Sequence, residues 1–271
     1  MEYILITGAY GGMGRATVQA LRARGYGVFA LDRKVEPSGD TGVIPIRADL
    51  TDAASVASAV AAVRAVTDRL LAIVHFAGIY MLDSLIEIEP ARFEESFRIN
   101  LGGAFTVNRL FFPLLGRGSR ILITTSELAP LDPLPFTGLY GVTKCALDRY
   151  AFALGMELQL LGISVSVLRA GAVSTGMLGA STDALTAFCA KTALYRCNAT
   201  RFRRIVDSVE AKSVPPERIA KKVLHILGAK RPAFAYAINR NPLLRLLNLL
   251  PKRMQLWAIR LVLREKADKH G

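Results

Sequence analysis

The chain has 271 residues, 52% of them apolar, and a mean hydropathy of +0.32, enough to bury a large core. Its longest apolar run, Leu70 to Leu82, is broken by His75 and Gly78, so no segment reaches the roughly 18 to 20 apolar residues that cross a bilayer. The net charge of +13 is uneven: residues 1–200 hold 18 Lys/Arg against 17 Asp/Glu, and residues 201–271 hold 17 against five, so the basicity belongs to the tail.

In chain order, the apolar run Tyr3-Ile4-Leu5-Ile6 predicts a strand over 3–7. It leads into Thr7-Gly8-Ala9-Tyr10-Gly11-Gly12-Met13-Gly14 and a helix over 12–24. A strand that ends in glycines and turns straight into a helix sets backbone N–H groups and the positive helix end against a pyrophosphate. Gly8 permits the turn, Gly12 the close approach of backbone to ligand, and Gly14 the packing of helix on strand; Tyr10 and Met13 share the loop. The second predicted strand, 26–31, ends at Asp32, 18 residues after Gly14. A carboxylate there can accept both ribose hydroxyls of an adenosine and repel a 2′-phosphate, which favours NAD. Arg33 and Lys34 follow directly and could neutralise that phosphate, so NADP is the rival cofactor.

Further strands are predicted over 43–47, 70–75, 119–125, 163–169 and 233–238, with helices over 52–67, 91–115, 138–161 and 215–228. The early strands are apolar throughout, as expected where both faces of a parallel sheet are covered. Strand and helix alternate, which implies an α/β fold with a doubly wound parallel sheet (a Rossmann fold). No linker composition or internal repeat divides it. One domain over 1–240 is expected, followed by a C-terminal helical extension over 241–271.

Tyr140 and Lys144 stand one turn apart on the predicted helix 138–161, with Ser126 upstream and Asn100 further back. A free phenol near pKa 10 exchanges protons poorly at neutral pH, and a nearby ammonium favours the phenolate. Lys144 can therefore lower Tyr140 and fit it for acid–base work. A protein of this fold that only sensed or scaffolded has no need of all four of these residues.

These motifs resemble the short-chain dehydrogenases/reductases, including those acting on hydroxysteroids and retinol. Thr7 to Gly14 matches their T-G-x-x-x-G-x-G turn and Tyr140-Gly141-Val142-Thr143-Lys144 their Y-x-x-x-K, in register over about residues 1–240. The resemblance implies an enzyme in which Asn100, Ser126, Tyr140 and Lys144 are catalytic. Ser126 would hold the substrate oxygen, Lys144 would also bind the nicotinamide ribose, and Asn100 would hold a water linking Lys144 to solvent. It further implies Asp49 and Leu50 at the adenine, Ala77 and Gly78 along the cofactor, and Val173 and Thr175 at the nicotinamide amide. Gly11 stands where many NADP-using members carry a basic residue. Three departures stand out. His75-Phe76-Ala77-Gly78 replaces N-N-A-G, with His75 expected as a satisfied strand-end residue. Ala170 replaces a proline, which is expected to loosen the loop below the nicotinamide. Ser126 precedes Tyr140 by 14 residues rather than 13, which the loop Pro130–Pro135 can absorb.

In such a family the mixed stretch 176–210, with Met177, Leu178, Leu185, Phe188, Leu194, Tyr195 and Phe202, is a lid over the substrate. With Leu131, Leu134, Phe136 and Ile79 to Leu82 it makes an apolar site, suited to a hydrophobic secondary alcohol or ketone of steroid, retinoid or lipid type. The same residues would serve simply to pack the lid on the body. The tail from Pro242 to Arg264 predicts two short helices broken at Pro251, with Arg253, Arg260 and Arg264 within about a 40° stripe. Such a tail can pack on the body, cap the site, join subunits of a homo-oligomer or lie on a membrane surface. No recognition motif accompanies its charge, so nucleic acid is not an expected partner. Cys145, Cys189 and Cys197 are unpatterned, which predicts reduced thiols and no metal site. With no basic flank before the first strand, a cytoplasmic setting follows.

Overall fold

The computed structural model describes residues 1–210 and 212–264, and of 177–181, 197 and 207–210 the backbone alone. The expected lid contacts of Met177 and Leu178, and residues 265–271 of the extension, therefore lie outside the described residues.

Seven strands form one parallel sheet: β1 (Tyr3–Thr7), β2 (Gly27–Asp32), β3 (Val43–Arg47), β4 (Ala72–His75), β5 (Arg120–Ser126), β6 (Ser164–Ala170) and β7 (Ala235–Ile238). Their order is β3-β2-β1-β4-β5-β6-β7. The order reverses between β1 and β4, and a crevice opens there beyond the carboxyl ends of the strands. The crossovers are α1 (Gly12–Arg22), α2 (Ala53–Arg64), α3 (Pro90–Phe97) continuing into α4 (Gly103–Phe111), α5 (Gly138–Leu158) and α8 (Pro216–Gly228).

Period-two alternation sorts the core. Ile4 and Ile6 of β1 face Leu21 of α1 and Val223 and Ile226 of α8. Leu5 faces the other way, onto Val56 and Val63 of α2 and Phe111 of α4. Ile121 and Ile123 of β5 pack on Leu147 and Ala151 of α5. Helices cover both faces, which is why the strands read as continuous apolar runs.

The long helix expected over 91–115 is not continuous. A π-helical turn, Arg98–Gly102, separates α3 from α4, with Asn100 buried inside it. Inserting one residue into the helical ladder turns Asn100 towards the sheet. The mixed stretch after Thr175 is two helices, α6 (Gly176–Lys191) and α7 (Arg196–Glu210). Across the crevice, Asp83 is ion-paired with Lys191 at 2.6 Å, and Glu87 accepts hydrogen bonds from the Thr192 hydroxyl and the main-chain N–H groups of Ala193 and Leu194. Phe136, at φ +64°, carries its ring onto Phe188, Tyr195 and Phe202.

The extension forms α9 (Pro242–Leu249) and α10 (Lys252–Leu263), parted at Pro251. Asn241 caps α9 by accepting from the N–H groups of Leu243 and Leu244. Ile259 and Leu263 join the lid core around Phe136 and Phe202, and the Asn198 side chain donates to the Leu263 carbonyl. Asp132 of the proline-rich loop is ion-paired with Lys252, and its N–H donates to Asn248 Oδ1 at 2.6 Å. None of the described helices is long and apolar enough to cross a membrane.

Candidate active site

Two cavities meet at the carboxyl ends of β1, β4, β5 and β6. The first, about 600 Å³, is lined by the glycine loop with Tyr10 and Met13, and by Asp32, Arg33, Asp49, Leu50, Ala77, Gly78 and Thr175. The second, about 290 Å³, is lined by Ser126, Tyr140, Lys144, Val173 and Thr175. Met13, Phe76, Tyr80 and Thr175 belong to both and mark the seam. Val173, expected at the nicotinamide amide, lines only the second cavity and bridges to Val214.

The glycine loop is built for close approach. Gly8 has φ +69°, and a Cβ on it would stand 2.6 Å from the Ala77 nitrogen. A Cβ on Gly14 would run into the Gly8 carbonyl. A side chain on Gly12 would collide with Thr175, so this glycine lets the loop after β6 close against the loop after β1. No side chain caps α1 and no acid occupies its first turn. Its first N–H groups and positive end therefore remain available to a pyrophosphate, and the residues fit a dinucleotide.

Asp32 braces this loop, its carboxylate accepting from the Tyr10 N–H at 3.1 Å and the Lys34 N–H at 3.4 Å. Tyr10 donates its hydroxyl to the Glu36 carbonyl, and Arg15 is ion-paired with Glu36. Asp49 accepts from the N–H and the hydroxyl of Thr51, which together hold its carboxyl below the usual range.

The four predicted catalytic side chains converge. β5 delivers Ser126 at its last residue, paired with Ala170 of β6. Tyr140 and Lys144 lie in the first two turns of α5, and one turn further Asp148 ties that helix to the sheet. Asp148 accepts from Thr125 Oγ1 and from both Nε and a terminal nitrogen of Arg169, at 2.7 to 3.1 Å. Asn100 clamps the loop after β4: Oδ1 accepts from the Ile79 N–H at 2.8 Å, and Nδ2 donates to the Ile79 carbonyl and Thr143 Oγ1. A Cβ on Gly78 would press on Asn100 Oδ1 at 3.0 Å and lie 3.4 Å from Lys144 Nζ.

The electrostatics differ from the sequence expectation. Burial pushes the Tyr140 phenol above its ordinary value, Tyr80 adds to the rise, and a hydrogen bond with Ser126 only partly opposes it. Lys144 is itself pushed down by burial, to about 8. Its Nζ lies 5.7 Å from the Tyr140 ring centre and donates to the Thr124 carbonyl at 3.4 Å. Desolvation is the largest influence on the phenol and raises it, the opposite direction to that expected from a neighbouring ammonium.

The three departures have structural answers. His75 is buried, with Nε2 2.8 Å from Asn108 Oδ1 and Nδ1 3.5 Å from Thr7 Oγ1, and burial lowers it to about 4. It is a neutral, satisfied strand-end residue. Ala170 stays within β6, paired with Ser126 on one side and Ile238 on the other. The loop between Ser126 and Tyr140 contains Phe136 at a positive φ of +64°.

Sequence reasoning did not single out Glu127, Leu243 or Leu244, which also line the second cavity. Glu127 carries no motif. The two leucines were readable only as part of a tail with several possible docking sites.

Residues 2–186 match the model of a family described as short chain dehydrogenase. The chain is 30% identical over 244 residues to the uncharacterized oxidoreductase YbbO of Escherichia coli, covering 87% of this chain and 85% of that one. It is 24% identical over 267 residues to the 3-ketodihydrosphingosine reductase of Bacteroides thetaiotaomicron, covering 96% and 97%. Other relatives are named as NADPH-dependent reductases. Among solved structures, a short chain dehydrogenase family protein from Francisella tularensis superposes with a TM-score of 0.72 at 20% identity, over 88% of this chain and 97% of that one.

Proposed function

The chain belongs to the short-chain dehydrogenase family, and from that premise we propose that it reduces a ketone carried on a long apolar chain. The observation that carries this reading is the partly buried Tyr140 phenol, hydrogen-bonded to Ser126 in a mostly apolar cavity that adjoins the glycine-loop cavity. From that position the phenol can pass its proton to a substrate oxygen that is gaining charge.

A bound nicotinamide would supply the hydride to the carbonyl carbon. Ser126 Oγ fixes the carbonyl oxygen beside the phenol, and Tyr140 Oη gives its proton to that oxygen as negative charge develops. Lys144, buried under the ring, stabilises the phenolate left behind. Asn100 acts by position, holding the loop of Gly78 and Ile79 against the site. The lid and α9 exclude water, since Leu134, Phe202, Ile205, Val206, Leu243 and Leu244 wall the second cavity.

Two lines of support favour a lipid-like ketone. The cavity wall beyond Ser126, Tyr140 and Lys144 is mostly apolar. The relative matched over 97% of its length, tail included, is named as the reductase of 3-ketodihydrosphingosine. For the cofactor, the Asp32 carboxylate at the end of β2 supports NADH over NADPH. A panel of long-chain ketones, steroid ketones and sugars, offered with each reduced cofactor and followed by absorbance, tests the reading. Faster reduction of long-chain ketones is expected. Equal or faster turnover of sugars would overturn the substrate class.

A further inference from the structure

Beside the catalytic serine stands a carboxylate that hydride transfer does not require. Glu127 follows Ser126 at the point where the chain leaves β5, and the turn there sets both residues in the wall of the second cavity. Glu127 is only 7% exposed. Its Oε2 accepts from the Asn241 N–H at 2.5 Å, just before α9. Its Oε1 lies over Gly171, where an added Cβ would stand 3.1 Å away, and Gly171 lines the same cavity. Among the described residues no hydrogen bond or ion pair reaches Oε1.

Burying a carboxylate is costly unless it is paired. Desolvation pushes Glu127 above the usual range, against the Asn241 N–H and the charge of Arg240. Arg240 is exposed, and Lys144, on the same cavity wall, spends a donor on the Thr124 carbonyl. The protein thus supplies half a partner for this group, and the open half faces the substrate space. A simple alkyl ketone leaves that cost unmet. A protonated amine meets it with a charge-assisted hydrogen bond.

We propose that Glu127 is the recognition group for a protonated amine on the substrate, carried within a few bonds of the carbonyl that Ser126 and Tyr140 hold. Glu127 and Ser126 line one cavity of about 290 Å³, which keeps the amine and carbonyl sites close. The inference rests on the ketone-reductase reading of this cavity and narrows its substrate to a long-chain amino ketone. The amine sits on the wall nearest α9, and the alkyl chain runs between Leu243, Leu244 and the lid.

The test uses product-like probes and a readout that needs no turnover. Calorimetry with the full chain compares dodecan-3-ol with its 2-amino derivative. Wild type is expected to bind the amine at least about 10-fold more tightly, and Glu127→Gln to lose that preference, as for removal of one charge-assisted hydrogen bond. Affinity for dodecan-3-ol is expected to change less than about twofold, because Gln can still accept from Asn241. The N-acetylated probe should lose the preference in wild type, a check that needs no variant. Equal binding of both probes by wild type, a preference that survives Glu127→Gln, or parallel loss of both affinities would each overturn the proposal; the last would make Glu127 a structural tether of α9. Cofactor-linked oxidation of dodecan-3-ol reports separately on the oxidoreductase reading, so a failure there is distinguishable from failure of the amine site.

Discussion

The ring of Tyr80 lies 4.8 Å from the ring of Tyr140, tilted by 51°. Tyr80 belongs to the segment that Asn100 holds in place through Ile79, so the π-helical turn, the loop after β4 and the phenol are one assembly. In the proposed reaction Tyr140 exchanges the substrate proton. Tyr140→Phe is expected to reduce kcat by about 10² to 10⁴ while leaving cofactor binding within a few-fold. Near-normal kcat in that variant would remove Tyr140 from the chemistry.

The Tyr80 hydroxyl contributes to the upward shift of the phenol. Tyr80→Phe keeps the ring and removes this contribution, so Tyr140 should ionise at lower pH. The alkaline decline of ketone reduction and the alkaline rise of alcohol oxidation should both move to lower pH. Profiles that superimpose on wild type would show that the ring, and not the hydroxyl, is what Tyr80 provides.

All seven strands were legible within one or two residues, because a sheet covered on both faces announces itself as apolar runs set apart by helices. The glycine turn and the Tyr140–Lys144 pair were legible for a similar reason: their spacing is local. The π-helical turn was not. Gly102 and Gly103 weaken the helix there without specifying a π turn, which is stabilised by bonds from Asn100 to Ile79 and Thr143, 21 and 43 residues away in sequence. Glu127 was invisible for the same reason, since its place in the cavity depends on Asn241, 114 residues on. The raised phenol also could not be read from spacing: i to i+4 tells that Lys144 is near, but not how completely both groups are desolvated.

His75 makes stability sensitive to acid. Its pKa is about 4 in the fold against 6.5 for an exposed imidazole. Between those values the unfolded chain binds the extra proton and the folded chain does not. The contribution is therefore fully present above pH 6.5 and lost as pH falls towards 4. The shift corresponds to about 3 kcal/mol as an order of magnitude. Denaturant midpoints for wild type should fall more steeply through this window than those for His75→Asn, which has nothing to titrate there. Parallel curves would show that the imidazole is not desolvated as its burial implies.

Asp32 should decide the cofactor. With both oxygens turned to the Tyr10 and Lys34 N–H groups, it fixes a negative charge at the end of β2. The kcat/KM ratio should favour NADH, and Asp32→Ala should shift it towards NADPH, with Arg33 then free to meet the phosphate. Loss of the brace on Tyr10 should also weaken binding of both cofactors somewhat. Strong wild-type preference for NADPH would mean that Arg33 and Lys34, and not the carboxylate, meet the adenosine ribose.

The extension contributes Leu243 and Leu244 to the wall of the second cavity, and in the proposed reading its removal should be felt there first. Truncation before Pro242 takes Leu243 and Leu244 out of the cavity wall, breaks the bonds of Asp132 to Asn248 and Lys252, and strips Ile259 and Leu263 from the lid core. None of these residues lines the first cavity. KM for a long-chain ketone should therefore rise roughly 10-fold or more, given the apolar area lost, and Tm should drop, while cofactor affinity holds within about twofold. The outer row of the tail, with Leu249 at 81% and Leu256 at 73% exposed, lies beside Lys252 and Arg253 and gives the competing outcome its own signature. Were the tail a membrane anchor alone, the full chain would sediment with anionic liposomes and be released as salt shortens the screening length from about 30 Å at 0.01 M to about 10 Å at 0.1 M. Truncation would then abolish sedimentation and leave KM untouched. The inward contacts favour the first result: a tail whose leucines already wall the cavity and whose asparagine and lysine already bind the proline-rich loop acts as part of the site, whatever its outer row touches.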